Sequence, residues 1–168
     1  RSSEGFPEGA TTIMTSPTSI RAALVALAAV AFALGSFTTR AQRSGPDVEY
    51  VGGAPGRPFS SYVRVDDMLY LSGMLGNRPG GGLAEGGVQA ETRQALENIG
   101  RTLENAGSSM NHVVKCMVFM EDMSQWPAMN EVYVTFFPER LPARSAFGST
   151  GLALGAALEI ECLATVGD

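Results

Sequence analysis

The chain has 168 residues, a formal charge of −5, 45% hydrophobic and 17% charged residues, a composition that fits one folded domain with its own core and excludes a fibrous or wholly disordered chain. An acidic balance without a Lys/Arg cluster lacks the electrostatic footprint of a nucleic-acid binder, so no polyanion partner is expected.

Residues 1–46 differ in composition from residues 47–168, which are expected to form the folded domain. After Arg21 comes an uncharged apolar run, Ala22 to Gly35, too short to span a bilayer as a helix. It reads as the h-region of a secretory signal, with Thr39-Arg40-Ala41 offering small residues for cleavage and Met14 as the start. Export, with no membrane span left in the mature chain, is the expectation. An organelle presequence fits the same acid-free, Arg- and Ser/Thr-bearing stretch, and a cytoplasmic or organellar location is the alternative.

Pro46 to Pro58, rich in Gly and Pro, reads as an extended or looping entry. Tyr62 to Val65 and Met68 to Ser72 are strand-like and flank Asp66-Asp67, a two-residue hairpin turn. Gly73 ends the second strand. The loop that follows, with Pro79, Gly80, Gly81, Gly82 and Gly86, lacks GK[ST] and the GxGxxG register, so it is read as a connection rather than a phosphate cradle.

Apolar or small residues at Val88, Thr92, Leu96, Ile99, Leu103 and Ala106 keep helical spacing, and Gly107 closes the helix. Its charged residues, Arg101 among them, are assigned to a solvated face. Val113 to Glu121 reads as a central strand. Ser124 is expected to cap a second helix with Trp126, Met129, Tyr133 and Phe136 on one core-facing stripe, ended by Pro138. Ala143 to Thr150 and Ala157 to Val166 are the last strands. The order β-β-α-β-α-β-β implies an α/β (α+β) sandwich with both helices on one sheet face. Two helices cover only one face, so association with further copies is expected to cover the other.

Cys116 and Cys162 have neither CxxC nor zinc spacing. Paired burial as small hydrophobes is the ordinary reading, and export opens the alternative of a disulfide between neighbouring strands. His112, the only histidine, has no partners for a metal site or a hydrolytic triad, so no metal or cofactor is expected.

Five stretches taken in order resemble the YjgF/RidA family. They are Tyr70-Leu-Ser-Gly73, Glu91-Thr-Arg-Gln-Ala-Leu-Glu-Asn98, Val113 to Phe119, Asn130-Glu-Val-Tyr133 with Phe136-Phe137, and Pro142-Ala-Arg-Ser145 followed by Leu158-Glu-Ile-Glu161. The resemblance implies a chorismate-mutase-like fold (bacillus type) with one mixed sheet, a homotrimer with active sites in the clefts between subunits, and hydrolysis of reactive 2-enamino/2-imino acids to 2-oxo acids and ammonia. Arg144 matches the family arginine. Its planar guanidinium suits a small carboxylate held by two parallel hydrogen bonds.

Glu159 and Glu161 lie two apart in a strand and so share a side, opposite Leu158, Ile160 and Cys162. The family pattern implies that Glu159 positions the attacking water while Glu161 is structural. By the same resemblance Phe59, Ser72, Gly73, Asn130 and Ala146 line the substrate pocket. Phe59 stands where many deaminating members carry a tyrosine, Ala146 where a cysteine is common, and Phe147 to Gly155 replaces a segment carrying a second basic residue. A non-catalytic trimer binding 2-oxo acids is the alternative, with a ribonuclease or translation inhibitor behind it.

Overall fold

The computed structural model describes residues 45–52, 56 and 58–167. The expectations about the leader, from the apolar run to the cleavage site, lie outside the described residues.

One seven-stranded sheet organises the domain, ordered β1-β2-β3-β7-β5-β6 with the short β4 also paired to β7. The strands are β1 (Val48–Gly52), β2 (Ser60–Val65), β3 (Met68–Leu71), β4 (Met74–Leu75), β5 (Val113–Met120), β6 (Ala143–Gly148) and β7 (Leu158–Thr165). All pairs are antiparallel except β5 with β6. That parallel pair needs a long crossover, and the segment carrying α2 (Trp126–Tyr133) supplies it. α1 is Val88–Asn105.

The hairpin falls at Asp66-Asp67, with Val65 opposite Met68 and Asp66 at φ +51°, a conformation aspartate tolerates better than most residues. The Asp66 carboxylate accepts from the Asp47 amide at 3.0 Å, which ties β1 to the turn. Of the extended or looping entry expected, Val48–Gly52 is extended and pairs as β1 with β2. β4 is a strand not anticipated from sequence; it continues beyond Gly73 along β7.

α1 buries Val88, Thr92, Leu96, Ile99 and Leu103, the expected stripe. It ends in a Schellman arrangement, with Ser108 N donating to Leu103 O at 2.8 Å, Gly107 N to Glu104 O at 3.1 Å, and Gly107 at φ +74°. The second helical segment is capped by Asp122 rather than Ser124. Its Oδ1 accepts from the Ser124 amide at 2.8 Å, and a 3-10 turn (Met123–Gln125) leads into α2.

Leu69, Val118, Met120, Leu158 and Ile160 from the sheet meet Leu96, Ile99 and Met129 from the helices in one core. β7 alternates buried and half-buried along its length, so Leu158, Ile160 and Cys162 point to the helices while Glu159 and Glu161 point to the open face. That face also carries Tyr70, 44% exposed, and Phe147, 48% exposed, whose ring lies 6.1 Å from that of Phe119.

Cys116 and Cys162 stand opposite each other and are joined as a disulfide, the alternative tied to export, rather than packing as two thiols. His112 ends a 3-10 turn, its Nδ1 3.2 Å from Ser109 Oγ. Among the described residues no cluster of His, Cys, Asp or Glu is arranged to hold a metal ion, and no helix is long and apolar enough to cross a membrane.

Candidate active site

The sequence-derived site residues separate into two groups. The first is built on β6 and α2. Arg144 stands opposite Cys116 of β5, so its side chain leaves the sheet on the helix side. There Nη1 donates to Asn130 Oδ1 at 2.7 Å, and the guanidinium carbon lies 4.6 Å from the Tyr133 ring centre and 5.5 Å from that of Trp126. Cation–π contact and one hydrogen bond fix the fork without neutralising it. No carboxylate pairs with Arg144 among the described residues. Four N–H donors therefore remain for a ligand.

Burial pushes the Tyr133 hydroxyl up to about 12 despite the opposing pull of Arg144, so the ring stays neutral beneath the cation. Trp126, Asn130 and Tyr133 occupy i, i+4 and i+7 of one helix face, a spacing visible in the sequence. The aromatic stripe reads there as core alone. Tyr133 is indeed core, yet it and the 37% exposed Trp126 also flank the arginine. Ala146, two residues along β6, shares the face of Arg144.

The second group surrounds Glu159. This residue stands opposite Phe119 and Leu75, on the face away from the helices. Its carboxylate accepts no hydrogen bond from the described residues. Gly73 lies directly against it: a Cβ added to Gly73 would overlap Glu159 Oε1 and lie 2.7 Å from Cδ. Phe59, Gly73 and Glu159 line a cleft of about 660 Å3 that runs past β4 to the flank of α1. Ser72 borders this group, but its Oγ donates to Ser60 O at 2.7 Å. Its hydroxyl is spent on joining β2 to β3.

The Glu159 strand is anchored from α1. The buried Glu91 carboxylate accepts from the Ala157 amide at 2.9 Å, and Gly76, just past β4, packs against the Glu91 backbone. Burial raises the Glu91 carboxyl above its ordinary value, the Ala157 amide opposes that, and Glu121 adds repulsion. Arg78 and Arg101 line the cleft as well. Arg101 is exposed, as its assignment to the solvated face implied, and it also borders the cleft through the loop that packs beside the end of α1.

Residues 53–166 match the model of the endoribonuclease L-PSP family. The chain belongs to this family. It is the YjgF/RidA group of the sequence resemblance, and the chain is similar along most of the length of the relatives it matches. A mouse protein named 2-iminobutanoate/2-iminopropanoate deaminase is 43% identical over 111 residues, 66% of this chain and 82% of that one. The human protein of that name is 40% identical over 117 residues, covering 68% and 85%. The crystal structure of RidA from the Antarctic bacterium Psychrobacter sp. PAMC 21119 superposes with a TM-score of 0.63 at 36% identity, covering 74% of this chain and all of that one. The mixed α+β fold expected of a YjgF/RidA member is thus the fold observed.

Within a single chain, Arg144 and Glu159 do not meet. Arg144, Cys116 and Cys162 share the helix side of the sheet, and Glu159 and Phe119 share the other. Each chain places Arg144 and Glu159 on opposite faces of the sheet.

Proposed function

We propose that this family member hydrolyses 2-imino acids of the 2-iminobutanoate/2-iminopropanoate type to 2-oxo acids and ammonia in a homotrimer, each site pairing Arg144 of one subunit with Glu159 of a neighbour. The observation that carries this reading is the division of the two halves between opposite faces of the sheet. A lone chain cannot apply both residues to one small molecule. A second copy supplies the missing half, and association also covers the open face with its exposed Tyr70 and Phe147. The names of relatives at about 40% identity support the chemistry.

The Arg144 fork takes the substrate carboxylate through two parallel hydrogen bonds while Asn130 holds its far edge. This orients the adjacent C=N carbon toward a water held by Glu159. As the water oxygen bonds to C2, Glu159 accepts its proton and passes it to the nitrogen. The carbinolamine hydroxyl proton then passes through Glu159 to the amino group, and the C–N bond breaks as C=O forms, releasing ammonia and leaving the 2-oxo acid. A positioned base contributes roughly 10²–10⁴-fold, enough for an imine already activated by its carboxyl group. The Cys116–Cys162 disulfide supports an oxidising compartment, in line with export.

Competition with semicarbazide for freshly generated 2-iminobutanoate tests the reading. The wild type is expected to lower semicarbazone yield, with Arg144→Ala and Glu159→Gln near background. Tight calorimetric binding of 2-oxobutanoate without turnover would instead support the binding-protein alternative, and RNA cleavage surviving in Arg144→Ala the ribonuclease one.

A further inference from the structure

The cleft beside Glu159 extends well beyond the space a four-carbon acid needs. Its volume of about 660 Å3 lies within the roughly 300–1,000 Å3 range of pockets for much larger ligands. Its far wall is polar and basic. Arg101 and Asn98 of α1 line it, with Arg78 from the loop after β4, and Leu154 adds an apolar side chain.

Arg101 is exposed and contacts the fold through Asn98. Asn98 Nδ2 donates to Leu75 O and Asn77 O, both at 3.0 Å, and Asn98 Oδ1 accepts from the Arg101 guanidinium. Leu75 is in turn the β-partner of Glu159. The cation is therefore linked, through one amide, to the strand that flanks the water-positioning carboxylate. No carboxylate pairs with Arg101 among the described residues, whereas Arg78 is partly engaged by Glu85 at 3.3 Å. With Arg78 matched by Glu85 and Glu159 contributing one negative charge, Arg101 is the cleft's cation without a carboxylate partner among the described residues.

The geometry points to a second anion subsite in this cleft, centred on Arg101, that selects 2-imino acids with a carboxylate at the far end of the side chain. The assignment rests on the proposed site for orientation: the 2-carboxylate on Arg144, the imine carbon at Glu159, the distal carboxylate at Arg101. Arg101 thus acts as a specificity residue remote from the bond that breaks.

Calorimetric titration with 2-oxoglutarate and 2-oxobutanoate, which need no turnover, measures the selection directly. A charge-assisted contact discounted for solvent exposure gives the dicarboxylate an advantage of about two- to fivefold. Arg101→Gln brings the affinity ratio close to one, whereas Arg93→Gln, which removes the same charge from α1 outside the cleft, keeps the wild-type ratio. Ratios of kcat/KM for 2-iminoglutarate and 2-iminobutanoate, each generated by an amino-acid oxidase, shift in parallel. Equal binding of the two oxo acids by the wild type, or a preference that survives Arg101→Gln, overturns the assignment. An Arg101-dependent preference without turnover of either imine upholds the subsite and refutes the hydrolytic reading alone.

Discussion

Arg144→Lys keeps the positive charge but removes the geometry on which the proposed carboxylate binding depends. The arginine gives one N–H to Asn130 Oδ1 at 2.7 Å and rests on the rings of Tyr133 and Trp126, leaving a planar edge free to hold both oxygens of a carboxylate. An ammonium at this position has three divergent donors; once it binds Asn130 it offers a point charge rather than a fork. Loss of one of two charge-assisted hydrogen bonds costs about 1.5–3 kcal/mol. At ~1.4 kcal/mol per decade that is a fall of roughly 10- to 150-fold in kcat/KM. The semicarbazide competition assay measures it, with thermal unfolding to confirm that the variant folds. Because the Tyr133 hydroxyl is pushed up to about 12, its ionisation does not enter between pH 6 and 9, roughly the range of such an assay, and the loss is expected to be flat across it. A folded Arg144→Lys within threefold of wild type would refute the bidentate role.

Gly73→Ala is expected to cut activity about tenfold or more, on the scale of a displaced base, with little change in stability, because the added methyl pushes aside only the end of the Glu159 side chain. Unchanged turnover would separate Gly73 from the site. For Glu91 the raised carboxyl favours the neutral form in the fold, so its stabilising contribution is present below the ordinary value of 4.5 and is lost as pH rises through the raised one. Glu91→Gln, which keeps an acceptor for the Ala157 amide, should gain stability over wild type as pH goes from 4 to 8 in thermal melts; a constant difference would count against burial as the cause. Breaking the Cys116–Cys162 bond, which spans 46 residues, should lower stability by about 2–4 kcal/mol in guanidinium unfolding with and without reductant. Two free thiols in non-reducing peptide mapping would argue against the bond.

Elements with a strong local pattern were legible in the sequence. The α1 stripe from Val88 to Leu103 and the Gly107 terminus follow from helical spacing and from glycine's ease at positive φ. The Asp66-Asp67 hairpin and the shared face of Glu159 and Glu161 follow from strand alternation. β1 was legible only as extended or looping because Val48–Gly52 is a mostly exposed edge strand next to a Gly/Pro run, and two-residue β4 is too short for any periodicity. Both exist only because a neighbouring strand offers hydrogen bonds.

The residue identities at the site came from the family motifs, but the side of the sheet each occupies did not. Only the register of β6, β5 and β7 separates Arg144 from Glu159. The exposure of Arg101 was legible but its place beside the cleft was not, because that depends on Asn98 tying α1 to Leu75 and Asn77, residues more than twenty positions earlier in the chain.

The separation of the two half-sites is most directly tested by mixing subunits. Arg144→Ala and Glu159→Gln, each expected to be inactive alone, are unfolded together in equal amounts and refolded as mixed trimers. If every site draws its arginine and its glutamate from different chains, random assembly restores both native residues in about one site in four, and activity returns to roughly a quarter of refolded wild type. A mixture that forms trimers yet stays as inactive as its parents would contradict the shared site.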